Sequence, residues 1–151
     1  MTLVIPNFRG QATGSVAIPV TLTNYFDQAM VERNRLAATE IRSCTVDRLW
    51  VDTKFLTLGL PAAIIERLGL VYEGTSSGRT SEGILRGRLF GGVEFRLADR
   101  QGTFDCLELT AQDTVLLGRV PMEVLGLQPE LDQGKLRLLP MNAKQTYLSL
   151  L

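Results

Sequence analysis

The run Leu49-Trp50-Val51-Asp52-Thr53-Lys54-Phe55-Leu56-Thr57-Leu58-Gly59-Leu60-Pro61 carries one carboxylate at the end of an apolar strand, directly before a turn. Upstream of it, residues 44–51 alternate and read as a strand running into Asp52. Downstream, residues 61–68 predict a short helix. Proline at the first helical position lacks an N–H that no helical carbonyl would take, and Ile64, Ile65 and Leu68 make one apolar stripe. Gly69 then suits the left-handed position past the helix end. A carboxylate at a strand end is commonly solvated or caps a turn, so Asp52 takes its meaning from what surrounds it.

Outward from this segment, the pattern is of many short strands. Residues 1–14 carry Pro6, Gly10 and Gly14 with little periodicity and read as an N-terminal arm; residues 15–151 read as one domain. Residues 15–24 are β-rich, with Pro19 pointing to a sheet edge or a bulge. A short helix or turn region is expected around residues 27–41, where Ala29, Met30, Leu36, Ala37 and Ala38 are good helix formers. Further strands are expected at residues 70–73, 84–90, 93–97, 103–109 and 114–117. In one of them Val93, Phe95 and Leu97 face one way and Glu94 and Arg96 the other, the half-buried pattern. Gly74-Thr75-Ser76-Ser77-Gly78 reads as a mobile hairpin tip joining two strands. One internal echo occurs: Leu60-Pro61 through Leu68-Gly69-Leu70 resembles Val120-Pro121 through Leu125-Gly126-Leu127. Either two helix starts and stops use the same chemistry, or two strand-turn-helix units form a pseudo-twofold. The expected class is mainly β, a small closed barrel with one or two short helices.

Composition narrows the chemistry. The 151 residues include 16 basic and 16 acidic side chains and no histidine. A balanced charge argues against nucleic acid as the main partner, since phosphate binding draws on an excess of Lys and Arg. The mixed charges of Arg86, Arg88, Glu94, Arg96, Asp99 and Arg100 read as a solvated face. Without histidine there is no Ser-His-Asp or Cys-His triad, and a zinc site is disfavoured. No metal or other cofactor is expected. The two cysteines, Cys44 and Cys106, are far apart and read as buried free thiols of a reducing compartment. No apolar run reaches the ~20 residues of a membrane span, and the first residues show no basic segment followed by an apolar one. A cytoplasmic protein with no membrane partner is the expectation.

Val51-Asp52-Thr53, followed by Leu58-Gly59-Leu60-Pro61 and a helix ending in Leu68-Gly69-Leu70, resembles the active-site segment of retropepsin-like (clan AA) aspartic proteases. Val115-Leu116-Leu117-Gly118-Arg119 resembles the apolar-apolar-Gly-Arg segment that precedes their last helix. Segments like Val20-Thr21-Leu22-Thr23-Asn24, residues 40–46 and residues 134–140 are similar to a bacterial group of that clan, so the likeness runs from about Ser15 onward. The resemblance implies an acid-protease barrel acting as a homodimer on a peptide or protein substrate. Two copies of Asp52 would meet across a twofold axis and share one proton, one carboxylate activating water and the other protonating the substrate. It assigns Thr53 to bracing the two loops beside Asp52, and Lys54, Phe55, Thr75, Ser76, Ser77, Gly78, Leu117 and Gly118 to substrate-binding or flap positions. The hairpin near residues 75–81 would be the flap, and Tyr147-Leu148-Ser149-Leu150-Leu151 would pair with its symmetry mate.

The chain departs from the family where Gly-Ala-Thr or Gly-Ala-Ser is expected: it has Lys54-Phe55-Leu56. Lysine adds bulk where substrate and loop pass close together, and its cation favours ionisation of both carboxylates. Leu56 also cannot offer Arg119 an acid. Two functions therefore stand: an aspartic endopeptidase, weakened or inactivated by Lys54, or a catalytically dead protease-fold dimer serving as a peptide-binding or assembly module.

Overall fold

A computed structural model of the chain describes residues 13–80, 83–110 and 113–140. Of the expected arm at residues 1–14, residues 1–12 lie outside the described residues, as do the flap residue Ser81 and the strand at 147–151, while Thr13 and Gly14 already belong to the first strand. The fold is mainly β, 56% strand, with a closed six-strand barrel and three short helices. In chain order the elements are β1 (Thr13–Asn24), α1 (Tyr25–Glu32), β2 (Ser43–Asp52), β3 (Leu58–Pro61), α2 (Ala62–Leu68), β4 (Val71–Thr80), β5 (Gly83–Leu97), β6 (Arg100–Leu109), β7 (Val115–Leu117), α3 (Arg119–Leu125), β8 (Leu127–Glu130) and β9 (Lys135–Leu138). The sheet runs β1-β2-β7-β3-β6-β5-β4, and a further β1–β5 pairing closes the first six strands into a ring, leaving β4 outside it. No helix among the described residues is long and apolar enough to cross a membrane.

Alternation predicts most of these strands, and local chemistry accounts for their irregularities. β1 buries Val16, Val20 and Leu22, and its register against β2 slips between Ala17 and Val20, where Pro19 sits. The partner β5 joins β1 only from Thr21 onward, so Pro19 lies at both a bulge and an edge, where its missing N–H breaks no ladder bond. The segments expected as two strands at 84–90 and 93–97 are one strand, β5, with a register shift between Phe90 and Val93. Two adjacent glycines at the shift let one strand kink rather than end.

Three expectations are corrected. The helix count is three, because residues 25–32 form a full helix rather than an ambiguous turn. Asn24 initiates it: its Oδ1 accepts the Asp27 N–H at 2.9 Å while its Nδ2 donates to the Leu68 carbonyl at 2.8 Å. The stretch 74–78 is no hairpin tip but the middle of β4, paired from Gly74 opposite Leu89 to Gly78 opposite Leu85. Small polar residues permit a turn but also suit a strand whose partner supplies the hydrogen bonds. The face of mixed charges is not uniformly solvated either. Glu94 and Arg100 are only 5% and 7% exposed. The Arg100 guanidinium is inserted against the Leu125, Gly126 and Leu139 carbonyls, so it caps α3 and ties down the chain just after β9.

The internal echo is a real twofold in the topology. β2 runs parallel to β7 with Leu49 opposite Val115, and β6 runs parallel to β3 with Cys106 opposite Leu58. These are the same pairing moved by 57 positions (49 to 106, 58 to 115), and β3 and β7 meet antiparallel at its centre. Each unit ends in a seven-residue helix stopped by a left-handed glycine, Gly69 at φ 62° and Gly126 at φ 65°. The prolines do not share the symmetry. Pro61 precedes α2, one position before its expected place, whereas Pro121 lies inside the first turn of α3, where no helical donor is needed either. Val51, Leu58, Leu60, Leu49 and Leu117 are all at 0% exposure around this centre. Each contributes about 1.5–3 kcal/mol by burial, so the strands carrying Asp52 stand on firmly packed core.

Candidate active site

Asp52 is the last residue of β2 and is half-buried. Val51 before it points into the core, so strand alternation turns Asp52 away from the core. The chain then reverses at once. Asp52 Oδ1 accepts the Lys54 N–H at 2.8 Å, and the Asp52 carbonyl accepts the Phe55 N–H at 3.2 Å. An aspartate that bonds the amide two residues on fixes its own carboxylate as it forms the turn.

Residues 53–57 next cross the end of β7 to reach β3. The Arg119 N–H donates to the Phe55 carbonyl at 2.7 Å and the Val120 N–H to the Leu56 carbonyl at 3.0 Å. Gly118 lies beneath this crossing. A β-carbon there would stand 2.0 Å from the Thr57 oxygen and 2.6 Å from the Phe55 oxygen. Its φ of −94° is open to any residue, so glycine is required by the close approach of two backbones. Gly118 and Leu117, expected at substrate-binding positions, are both buried, and Leu117 pairs with Val51 and Leu58. Their physical effect is on the Asp52 loop, which they support from below.

Thr53 and Phe55 are half-buried, while Lys54 is exposed and Leu56 is 57% exposed. Among the described residues only Asn34 and Ala98 are non-glycine residues at positive φ, so Lys54 occupies an ordinary backbone conformation. The turn therefore forms without glycine, and what lysine adds is side-chain bulk and charge. Thr57 closes the loop by donating its hydroxyl to the Asp105 carbonyl at 3.0 Å.

Moving Asp52 by the 57-residue offset leads to Leu109, which is 8% exposed. The second unit thus has an apolar side chain where the first has its acid, and one chain presents one such carboxylate. Thr75, Ser76, Ser77 and Gly78 belong to a different region, the β4–β5 hairpin. β6 pairs with β5 only from Leu89 onward, so the β4–β5 ladder, residues 74–80 and 83–88, runs on past its pairing with β6, with Arg88 near its base bonded to Glu108 of β6. Thr75 and Ser77 are exposed there, and the Thr75 hydroxyl lies 3.4 Å from that of Tyr72.

Two carboxyls do meet within one chain, and the sequence reading missed them. Glu73 of β4 lies over Gly91 of β5, where a β-carbon would stand 2.5 Å from Glu73 Oε2. Desolvation, with a hydrogen bond to Asp105 and its negative charge, pushes the Glu73 carboxyl up from its usual range. Both acids are exposed, on strands more than thirty residues apart in sequence, and no local motif announces them. Beside them, Arg88 closes on the buried Glu108 carboxylate through two hydrogen bonds of 2.9 and 2.6 Å and lies over the Phe90 ring. Among the described residues no group of three or more His, Cys, Asp or Glu side chains gathers to hold a metal ion.

A scan against models of known protein families finds no match for this chain, and a search of curated proteins finds none.

Proposed function

We propose that the protein is a retropepsin-like aspartic endopeptidase whose site is completed by a second copy of the chain. The observation that carries this reading is the Asp52 turn: a carboxylate held by the amide two residues on, in a loop that crosses a buried Gly-Arg segment of a closed β barrel. The β4–β5 hairpin supports it as a flap over a cleft, and Leu109 at the pseudosymmetric position explains why one chain is insufficient. In a symmetric dimer the two Asp52 carboxyls share a proton. The ionised one takes a proton from water as the water oxygen adds to the peptide carbonyl carbon. The protonated one gives its proton to the carbonyl oxygen; as the C–N bond breaks, the first carboxyl passes its new proton to the nitrogen and the second regains one from a hydroxyl of the adduct.

A second reading is favoured by one observation, the exposed Lys54 beside Asp52. Its side chain adds bulk and charge where a substrate backbone would approach the carboxylates, which leaves a peptide-binding or assembly dimer without cleavage. The two readings separate in one set of assays: hydrolysis of a denatured protein from acidic to neutral pH by wild type, Asp52→Asn and Lys54→Gly, with sedimentation of each. The peptidase reading expects a dimer of twice the 16.7 kDa chain mass and cleavage that Asp52→Asn abolishes. A dimer that cleaves only as Lys54→Gly is the binding module. A strict monomer refutes both.

A further inference from the structure

We infer that the surface around Asp52 selects acidic peptide segments, with Lys54 and Arg119 as its specificity-determining residues; this deepens the reading of that surface as a peptide cleft and rests on it. The two cations are carried on backbones in direct contact, since the Arg119 N–H donates to the carbonyl of Phe55, the residue after Lys54. Both side chains are exposed, and among the described residues neither makes an ion pair with a carboxylate. Glu123, one turn along α3 from Arg119, is within ion-pair reach of neither. By contrast, five other arginines, including Arg42 and Arg88, are closed onto carboxylates.

The same crossing presents apolar surface. Leu56 and Val120 are 57% and 40% exposed and are joined by the Val120 N–H to Leu56 carbonyl bond. Two cations without an ion pair among the described residues and two exposed apolar side chains therefore share the crossing that follows Asp52, whose carboxylate already accepts the Lys54 amide. An extended peptide bearing Glu or Asp beside an apolar residue complements that surface. A neutral peptide leaves both cations uncompensated, and a basic one meets repulsion.

The test uses the full chain and labelled peptides of about ten residues that differ only in a central Glu, Gln or Lys, followed by fluorescence anisotropy. Mass spectrometry of the same samples reads cleavage separately. At about 50 mM salt the Glu peptide is expected to bind about two- to tenfold tighter than its Gln twin, and the difference shrinks as salt rises towards 500 mM. Lys54→Gln and Arg119→Gln each lower that Glu-over-Gln preference about twofold. Equal binding of Glu and Gln peptides, a preference indifferent to both substitutions, or binding of no peptide overturns the inference. So does displacement of the peptide by a single-stranded oligonucleotide at equal charge. Acidic preference without cleavage leaves the inference standing and removes the peptidase; cleavage without acidic preference does the reverse.

Discussion

Replacing Gly118 by alanine tests how the Asp52 loop is held. The added methyl would stand 2.0 Å from the Thr57 oxygen, 2.6 Å from the Phe55 oxygen and 2.9 Å from the Thr57 nitrogen. An ordinary carbon–oxygen contact needs at least about 3.3 Å, so one backbone has to move by roughly 1.3 Å. That displacement carries the Arg119 to Phe55 and Val120 to Leu56 hydrogen bonds, now 2.7 and 3.0 Å, beyond useful length. Two such bonds contribute about 1–3 kcal/mol together, and relieving the overlap costs about 1–3 kcal/mol more. The expected loss is therefore about 2–6 kcal/mol. Gly59→Ala is the matched control: there the nearest atoms are the side-chain carbons of Leu109, at 2.9–3.1 Å, which can turn aside at a cost of about 1 kcal/mol. Urea unfolding followed through Trp50, the single tryptophan and two residues from Asp52, measures both variants with a probe at the site. A loss below about 1 kcal/mol for Gly118→Ala, or one no larger than for Gly59→Ala, refutes the close crossing as the reason for this glycine.

Three other substitutions or measurements address the frame around the site. The Arg42 guanidinium and backbone N–H donate to Asp27 at 2.9–3.0 Å, and the guanidinium holds the Asp27 carboxyl below its usual range against the opposing effect of burial. A carboxyl with a depressed folded pKa adds stability that is whole above the unfolded value of 3.8 and is lost as pH falls through the folded one. Asp27→Asn should therefore cost about 1.5–3 kcal/mol at pH 7 and flatten the acid limb of a stability–pH curve; an unchanged limb rejects the pairing. Arg100→Leu removes the donor to three carbonyls at the end of α3 and after β9, and is expected to lower stability by about 2–3 kcal/mol. Hydrogen exchange in residues 125–139 should rise with it, and exchange that stays at the wild-type rate argues that the β8–β9 hairpin is held otherwise. Burial pushes the Cys106 thiol up to about 12, with the negative charges of Asp105, Glu73 and Glu108 acting the same way, and burial also raises Cys44. Neither thiol should react with a disulfide reagent at about pH 8 until denaturant is added, and rapid native labelling of either would contradict the packing.

Much of the barrel was legible in the order of residues because strand alternation and helix punctuation are local. Val51 and Leu49 inward with Asp52 at the strand end, Gly69 and Gly126 as helix stops, and Pro19 at a bulge each follow from chemistry within a few neighbours. The hairpin was read in the wrong place because Gly74 to Gly78 suits a turn locally, while fifteen residues of β5 supply a partner along which it can extend. Glu94 and Arg100 read as solvated for the same reason: their charge is a local property, and the groups that cover or bond them come from elsewhere in the chain.

By itself the sequence determined a mainly β domain, the position of one acid at a strand end, two glycine-stopped helices and the absence of any histidine chemistry. Tertiary structure alone decided the strand order by which the barrel closes, that Leu109 is the pseudosymmetric counterpart of Asp52, and that Gly118 is needed under residues 53–57. Contacts across more than fifty residues cannot be read from neighbouring side chains, because they depend on which strands share hydrogen bonds and on how closely two distant backbones are brought together.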